Sequence, residues 1–162
     1  MTPVRVTAPA GPVVDLPRLR SQCRLSPNST EHDEQLQSLE AAAVSMMDGY
    51  RGILGRCILS QQWAVTFADP GTHRLPFPDV IEVSASAGEV TLSHDALGSL
   101  VTITAPATVT MTAAMPEETL GAVQQAICVW VQKRFDGLTG PEGQSFDDAF
   151  DDLIGHLRWT RV

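Results

Sequence analysis

The spacing of hydrophobic residues changes twice along this chain of 162 residues, and this restricts the fold more than any other sequence feature. Between positions 36 and 54, apolar residues recur every three or four positions, which is the repeat of an amphipathic helix. Between positions 63 and 112, they alternate in short Val- and Thr-rich stretches separated by Gly, Pro and Asp, as in half-buried strands. After Pro116 the helical repeat returns. Strands joined by such short turns predict an antiparallel arrangement rather than helix-linked parallel strands.

Capping residues give approximate helix boundaries. Asp15 ahead of a Leu-Pro pair predicts a short helix over 16–24, and the acids after Thr30 predict a long helix over about 31–54 that Gly55 ends. Met115-Pro116-Glu117-Glu118 opens a second long helix. The expected fold is α+β and mainly α: a helical bundle with two long helices, a small antiparallel β-sheet or hairpin region, and an extended C-terminal tail with a short amphipathic helix.

Proline and glycine divide the chain into four parts. Pro3, Pro9, Gly11 and Pro12 fall in a stretch without periodic hydrophobicity, and a second Gly/Pro-rich stretch precedes the tail. The predicted organisation is a flexible N-terminal arm (1–13), a folded body (14–138), a linker (139–145) and a C-terminal tail (146–162).

Charge and hydropathy exclude several classes of protein. The chain carries 19 acidic and 11 basic side chains, a net charge of −8, and no Lys or Arg between Arg74 and Lys133. A surface that grips phosphate backbones is therefore not expected. No apolar run approaches the roughly 18 residues of a membrane helix, and the N-terminus lacks a secretory signal, so we expect a cytosolic protein without a membrane partner. The three cysteines, Cys23, Cys57 and Cys128, are predicted to be free, buried thiols.

The tail combines an apolar stripe with an acidic face. Ser145 can cap a helix over 146–157, and helical spacing separates two sets of residues. The apolar set is Phe146, Phe150, Leu153, Ile154 and Leu157, and the acidic set is Asp147, Asp148, Asp151 and Asp152. The helix is followed by Arg158, Trp159 and Arg161, residue types that are enriched at interface hot spots. Two hypotheses remain open: the stripe folds back on its own domain, or it docks in a groove on another subunit.

Motifs for catalysis or metal binding are not recognisable. The sequence has no nucleophile elbow, phosphate-binding loop, dinucleotide fingerprint, HExxH or CxxC motif, and its four His residues are scattered. The tail acids lie along a helix face rather than in the spacing of a calcium loop. We therefore predict a protein that is not an enzyme and has no metal site and no cofactor.

Four stretches carry a resemblance to a known family. They are 50–56 (YRGILGR), 59–63 (LSQQW), 75–83 (LPFPDVIEV) and 116–131 (PEETLGAVQQAICVWV). In this order and spacing, over residues 14–138, the chain resembles the phage head–tail connector (adaptor) family, which includes the adaptors of phage-like gene transfer agents. It departs from the family pattern between positions 87 and 114, where it is shorter and Thr-rich.

The resemblance implies a structural role in a particle neck. Such adaptors form rings, usually dodecameric, between the portal and the stopper or tail, and DNA passes through the channel without specific binding. The implied partners are further copies of the chain, the portal protein through the C-terminal tail, and a stopper or tail-terminator protein on the opposite side. The implied location is the neck of a virion or phage-like particle, after assembly in the bacterial cytoplasm.

Two alternatives belong to other classes. One is a small-molecule-binding or enzymatic α+β domain, for which a convergent set of polar residues is missing from the sequence. The other is a different neck protein, a stopper or tail terminator, and such proteins are generally dominated by strands.

Overall fold

The computed structural model describes residues 2–160, which form a helical layer and two β-sheets. The helices are α1 (Leu16–Gln22), α2 (Asp33–Met47), α3 (Glu117–Asp136) and α4 (Gly140–Ile154), followed by a 3₁₀ turn at Gly155–Leu157. The strands are β1 (Val4–Thr7), β2 (Gln61–Phe67), β3 (Gly71–Arg74), β4 (Val80–Ala85), β5 (Val90–Asp95), β6 (Gly98–Ile103) and β7 (Ala107–Ala113). None of the helices in the described residues is long and apolar enough to cross a membrane.

All strand pairs are antiparallel and belong to two sheets. Sheet A has the order β1-β2-β7-β4, and sheet B has the order β3-β6-β5. On β2, Trp63, Val65 and Phe67 are buried, whereas the residues between them are more exposed. The alternation places these three side chains in a core between the sheets. In this core the ring centroids of Phe77 and Trp63 are 5.2 Å apart.

The helices bury a second, separate core. Helix α3 contacts the other three helices, and its Val123, Ile127 and Val131 are fully buried. Leu36, Ala43 and Met47 of α2, which continue the helical repeat seen in the sequence, pack into the same cluster. The chain thus has one core between the helices and one between the sheets.

The expected fold class is wrong. Helices make up 38% and strands 25% of the structure, so the fold is not a helical bundle with two long helices and a small sheet. The alternating stretches between positions 63 and 112 do form strands, namely β2, β4, β5, β6 and β7, but these enclose a core of their own. Of the two long helices, α3 has 20 residues and α2 only 15. Short-range spacing predicted the strands, but it contains no information on how many strands share a core.

Helix α2 ends earlier than predicted because Asp48 leaves the helical conformation. Its backbone is extended, and its buried carboxylate accepts hydrogen bonds from Ile58 N at 2.8 Å and from Gln61 Nε2 at 2.9 Å. The chain then doubles back, so that Gly49 N donates to Arg56 O at 2.7 Å. The apolar repeat runs on to Leu54 because this loop also contributes to the core, and periodicity alone cannot distinguish the two cases.

The N-terminal segment is more ordered than predicted. Residues 4–7 form β1, which pairs with β2, and Val13 and Val14 are buried. Glu40 of α2 is 6% exposed and accepts hydrogen bonds from Val13 N at 2.8 Å and Val14 N at 3.3 Å. The prediction of an arm without a regular element is therefore corrected, because partners distant in sequence order this Pro-rich stretch.

The predicted linker before the tail is also corrected. Gly140 begins α4, with Pro141 in its first turn, where proline costs no hydrogen bond. A Cβ at Gly143 would lie 2.8 Å from Leu138 O, so this glycine permits a close turn between α3 and α4. Glycine and proline here initiate a helix at a tight corner rather than forming a spacer.

The prediction for the cysteines is confirmed. Cys23, Cys57 and Cys128 are free and buried. Burial raises the pKa of the Cys23 thiol to about 11, and it also raises the pKa of Cys57 and of Cys128. All three thiols are therefore protonated near neutral pH.

Candidate docking surface of the C-terminal segment

The C-terminal segment, residues 138–160, starts with a tight turn out of α3. Gly137 ends α3 in the left-handed conformation, and Leu138 N donates to Lys133 O at 3.1 Å. Lys133 Nζ then donates to both carboxylate oxygens of Asp147 at 2.6 Å. This ion pair and the turn align α4 along α3.

The apolar stripe of α4 packs into the chain's own helical core. Phe150, Ile154 and Leu157 are 9%, 0% and 5% exposed, and all belong to the cluster formed by α1, α2 and α3. Phe146 and Leu153 are half-buried. Within this chain, the stripe therefore has the first of the two arrangements that the sequence left open.

The four acidic residues of the tail differ in how exposed their side chains are. Asp147 is half-buried and paired with Lys133, whereas Asp148, Asp151 and Asp152 are exposed. Asp151 accepts a hydrogen bond from Arg158 Nη2 at 2.6 Å, and both side chains are about half exposed. We refer to Asp148, Asp151 and Asp152 as the outer acidic face, since these carboxylates are open to a partner.

Trp159 fixes the end of the segment between the helical layer and sheet B. Its backbone N donates to Leu54 O at 2.7 Å. Its ring lies against Gly98, where an added Cβ would be 3.0 Å from Trp159 Cζ2 and 3.2 Å from the Cα of Pro78. Trp159 is half-buried and Arg158 is exposed, while Arg161 lies outside the described residues.

A second glycine lies against Trp159, and a partly buried ion pair involves the residue after Pro78. A Cβ at Gly55 would come within 2.7 Å of Trp159 O. Beside Pro78, Asp79 lies 3.0 Å from Arg56, measured from Oδ2 to Nε, and both side chains are less than a fifth exposed. Burial raises the pKa of Asp79, and the nearby Arg56 guanidinium opposes that shift.

Sequence reasoning did not find the residues that hold Trp159. Leu54 contributes only a carbonyl, which has no sequence signal, and the pattern around Gly55 predicts a helix stop instead. Gly98 begins β6 and Pro78 lies in the loop before β4, and their contact with the C-terminus depends on the tertiary fold. Within residues 2–160, no group of three or more His, Cys, Asp or Glu residues is placed to hold a metal ion.

Comparison with known proteins gives a likeness of structure. No family model matches the sequence, and no curated protein matches it. A chain from the neck of an empty gene transfer agent (GTA) particle, computed with C6 symmetry, matches with a TM-score of 0.72 and 19% identity. A chain from the virion of a native GTA particle matches with a TM-score of 0.67 and 19% identity. Each match covers 100% of this chain and 97% of the other. The resemblance that the motifs predicted is confirmed at the level of the fold.

Proposed function

We propose that this chain is a structural head–tail connector (adaptor) subunit in the neck of a phage or phage-like particle. The observation that carries this proposal is the full-length likeness to a chain from a GTA neck, at a TM-score of 0.72. The four matching stretches between positions 50 and 131 support it independently, because they are a property of the sequence alone. The role is one of assembly and not of catalysis.

The partners follow from that role. Copies of the chain form a ring, dodecameric as in the family, with the portal on one side and a stopper or tail-terminator protein on the other. DNA passes through the ring without specific binding. The net charge of −8 and the absence of Lys and Arg between positions 74 and 133 fit a channel that does not hold DNA.

The C-terminal tail is the proposed portal-docking element, and packing energies favour one mode of docking. Releasing Phe150, Ile154 and Leu157 from the core costs about 5–9 kcal/mol, at about 1.5–3 kcal/mol for each buried side chain. That is comparable to the whole stability of a typical domain. Docking through the outer acidic face and Arg158 carries no such cost. We therefore propose that the stripe anchors the tail and that the exposed side meets the portal.

Charge reversal on the tail tests this mode. Asp148→Lys with Asp152→Lys should weaken copurification with the portal protein at least tenfold and leave the unfolding temperature almost unchanged, because both side chains are exposed. The control is Glu31→Lys with Gln35→Lys, near the start of α2, which adds positive charge elsewhere. If only variants that release the stripe affected portal binding, insertion of the stripe itself, the second hypothesis that the sequence leaves open, would be the better account.

Gene deletion tests the function as a whole. Without this chain, the producing bacterium should release DNA-filled heads and unattached tails, and expression of the chain should restore joined particles. Electron microscopy of the particles measures the outcome. Particles with normally attached tails in the deletion strain would contradict the adaptor role.

A second candidate is a stopper or tail terminator, and one observation favours it. Seven strands in two sheets are more β-structure than the sequence predicted. Affinity measurements with purified partners separate the two roles. An adaptor binds the portal directly, whereas a terminator binds the tail tube and reaches the portal only through another protein.

A further inference from the structure

Sheet A has two open edges, and each one exposes large aliphatic side chains. Strand β1 forms one edge and β4 the other, and in the described structure each pairs with a neighbour on one side only. Val4 and Val6 on β1 are 66% and 56% exposed, and Ile81 on β4 is 64% exposed. These are the three most exposed of the large hydrophobic residues in the described part of the chain. Sheet edges with exposed hydrophobic residues are candidate sites of contact with another chain.

Each edge strand also has a bulge at one of these residues. Arg5 and Thr7 oppose the consecutive residues Trp63 and Gln62, so Val6 is the extra residue on β1. Val80 and Glu82 oppose Ala113 and Thr112 in the same way, so Ile81 is the extra residue on β4. A bulge interrupts a continuous ladder and is one of the devices that hinder backbone pairing at a sheet edge. Here the extra residue is aliphatic, which suits a contact through side chains.

Charge excludes one of the possible pairings. Glu82 is the charged side chain of β4, it is exposed, and residues 75–132 contain no cation. Two β4 edges would therefore bring unpaired Glu82 carboxylates together. On β1, Arg5 is paired with Asp48 of its own chain at 3.3 Å and lies over the Trp63 ring, so this edge presents no unpaired charge to Glu82. The β4 edge is therefore better matched by the β1 edge than by a second β4 edge.

Strand direction agrees with this pairing. Since every pair in sheet A is antiparallel, β1 and β4 run in opposite directions at the two ends of the order β1-β2-β7-β4. Rotation about an axis along the strands therefore places β4 of one copy antiparallel to β1 of the next. A contact between two different surfaces of identical subunits is heterologous, and it closes into a ring when the rotation closes.

We propose that the β1 edge of one copy, at Val4 and Val6, packs against the β4 edge of the next copy, at Ile81 and Glu82. This inference rests on the proposed ring function and assigns the subunit contact within it. The two edge strands have four and six residues, and ring closure or a portal template adds to the stability of the contact.

Cysteine cross-linking tests the contact in the complex with the portal protein. The single variants Val6→Cys and Ile81→Cys introduce exposed thiols, whereas the native cysteines are buried with raised pKa values and react slowly. Under mild oxidation, a mixture of the two variants should give disulfide-linked dimers, and the double variant should give a ladder of multimers. Each single variant alone should stay monomeric on a denaturing gel. Leu97→Cys, 46% exposed on a turn of sheet B, replaces Ile81→Cys in the matched control.

The outcomes separate a failure of the proposed contact from a failure of the proposed function. Dimers from the mixture alone support the proposal. Dimers from a single variant indicate a symmetric contact and overturn the proposal. A ring on the portal, verified by mass, that gives no cross-link from the mixture also overturns it. In both cases the adaptor role stands. If the unmodified chain forms no ring and does not bind the portal, the proposed function fails and the inference fails with it.

Discussion

Because Gly98 has no side chain, it can adopt its backbone conformation and also leave room for Trp159. The residue has φ +108°, and the Trp159 ring and Pro78 occupy the space where a Cβ would be. At Gly55, an added Cβ would lie even closer to Trp159, at 2.7 Å from its carbonyl oxygen. Two glycines from distant parts of the chain therefore form the site that receives one aromatic residue.

Gly98→Ala should destabilise the chain and displace Trp159. The strained backbone conformation and the 3.0 Å contact together predict a loss of about 2–4 kcal/mol. Urea unfolding and tryptophan fluorescence measure the two effects. Gly71→Ala is the matched control, since Gly71 has φ +133° but no atom near its missing Cβ, so it shows the backbone cost alone. Equal losses in the two variants would show that the Trp159 contact contributes nothing.

Among the elements, contacts between distant segments decide where helices and strands begin and end. The carboxylate of Asp48 ends α2 by binding Ile58 N, and the carboxylate of Glu40 holds the segment after β1. On sheet B, Arg74 of β3 donates to both carboxylate oxygens of Asp95 at the end of β5, at 2.8 and 3.0 Å. Each contact joins elements that local propensity leaves independent.

Glu40→Ala should loosen the N-terminal segment and lower stability by about 2–4 kcal/mol, because it leaves two buried N–H groups without their acceptor. Hydrogen exchange of the amides of Val13 and Val14 should become faster. Glu40→Gln keeps an acceptor oxygen and should lose less, and Gln35→Ala, exposed on the same helix, should change stability by less than about 0.5 kcal/mol. Unchanged exchange in Glu40→Ala would mean that β1 alone holds the segment.

The Asp95 contact predicts a dependence of stability on acid pH. Hydrogen bonding from Arg74 lowers the pKa of Asp95 to about 2, whereas an unfolded Asp titrates near pH 3.9. The folded state therefore binds this proton less tightly, so the stabilisation is present above about pH 4 and is lost as pH falls toward 2. The difference in unfolding free energy between the wild type and Asp95→Asn should shrink over that range. In an NMR titration, Arg74→Gln should raise the pKa of Asp95; an unmoved pKa would reject this cause.

In the whole molecule, two cores are joined by the loop 48–60 and by the C-terminal segment. Leu54 and Ile58 of the loop belong to the helical core, while Cys57 belongs to the core between the sheets. The C-terminal segment covers α3 and then reaches sheet B at Trp159. The tail is therefore part of the folded body as well as the proposed site of docking.

Removing residues 140–162 should unfold or aggregate the protein. The deletion uncovers the part of α3 that contacts Phe150, Ile154 and Leu157, a loss of about 5–9 kcal/mol of burial. Circular dichroism and light scattering of the purified truncation measure the result. The control truncation ends at Thr160 and should melt within a few degrees of the full chain. A stable, monomeric 1–139 fragment would instead support the predicted division into a body and a detachable tail.

The sequence by itself determined most element positions and the resemblance to adaptors, because caps, periodicity and short motifs are local properties. Asp15 caps α1 as predicted, since its carboxylate accepts a hydrogen bond from Arg18 N at 3.0 Å. The alternating stretches between positions 63 and 112 form strands, also as predicted. Only the tertiary structure decided the separation into two cores, the end of α2, the pairing of β1 and the position of the tail. Each of these depends on contacts between distant residues, such as Glu40 with Val13 or Trp159 with Leu54. The free energy of such contacts exists only once the chain is folded, so no local pattern encodes it.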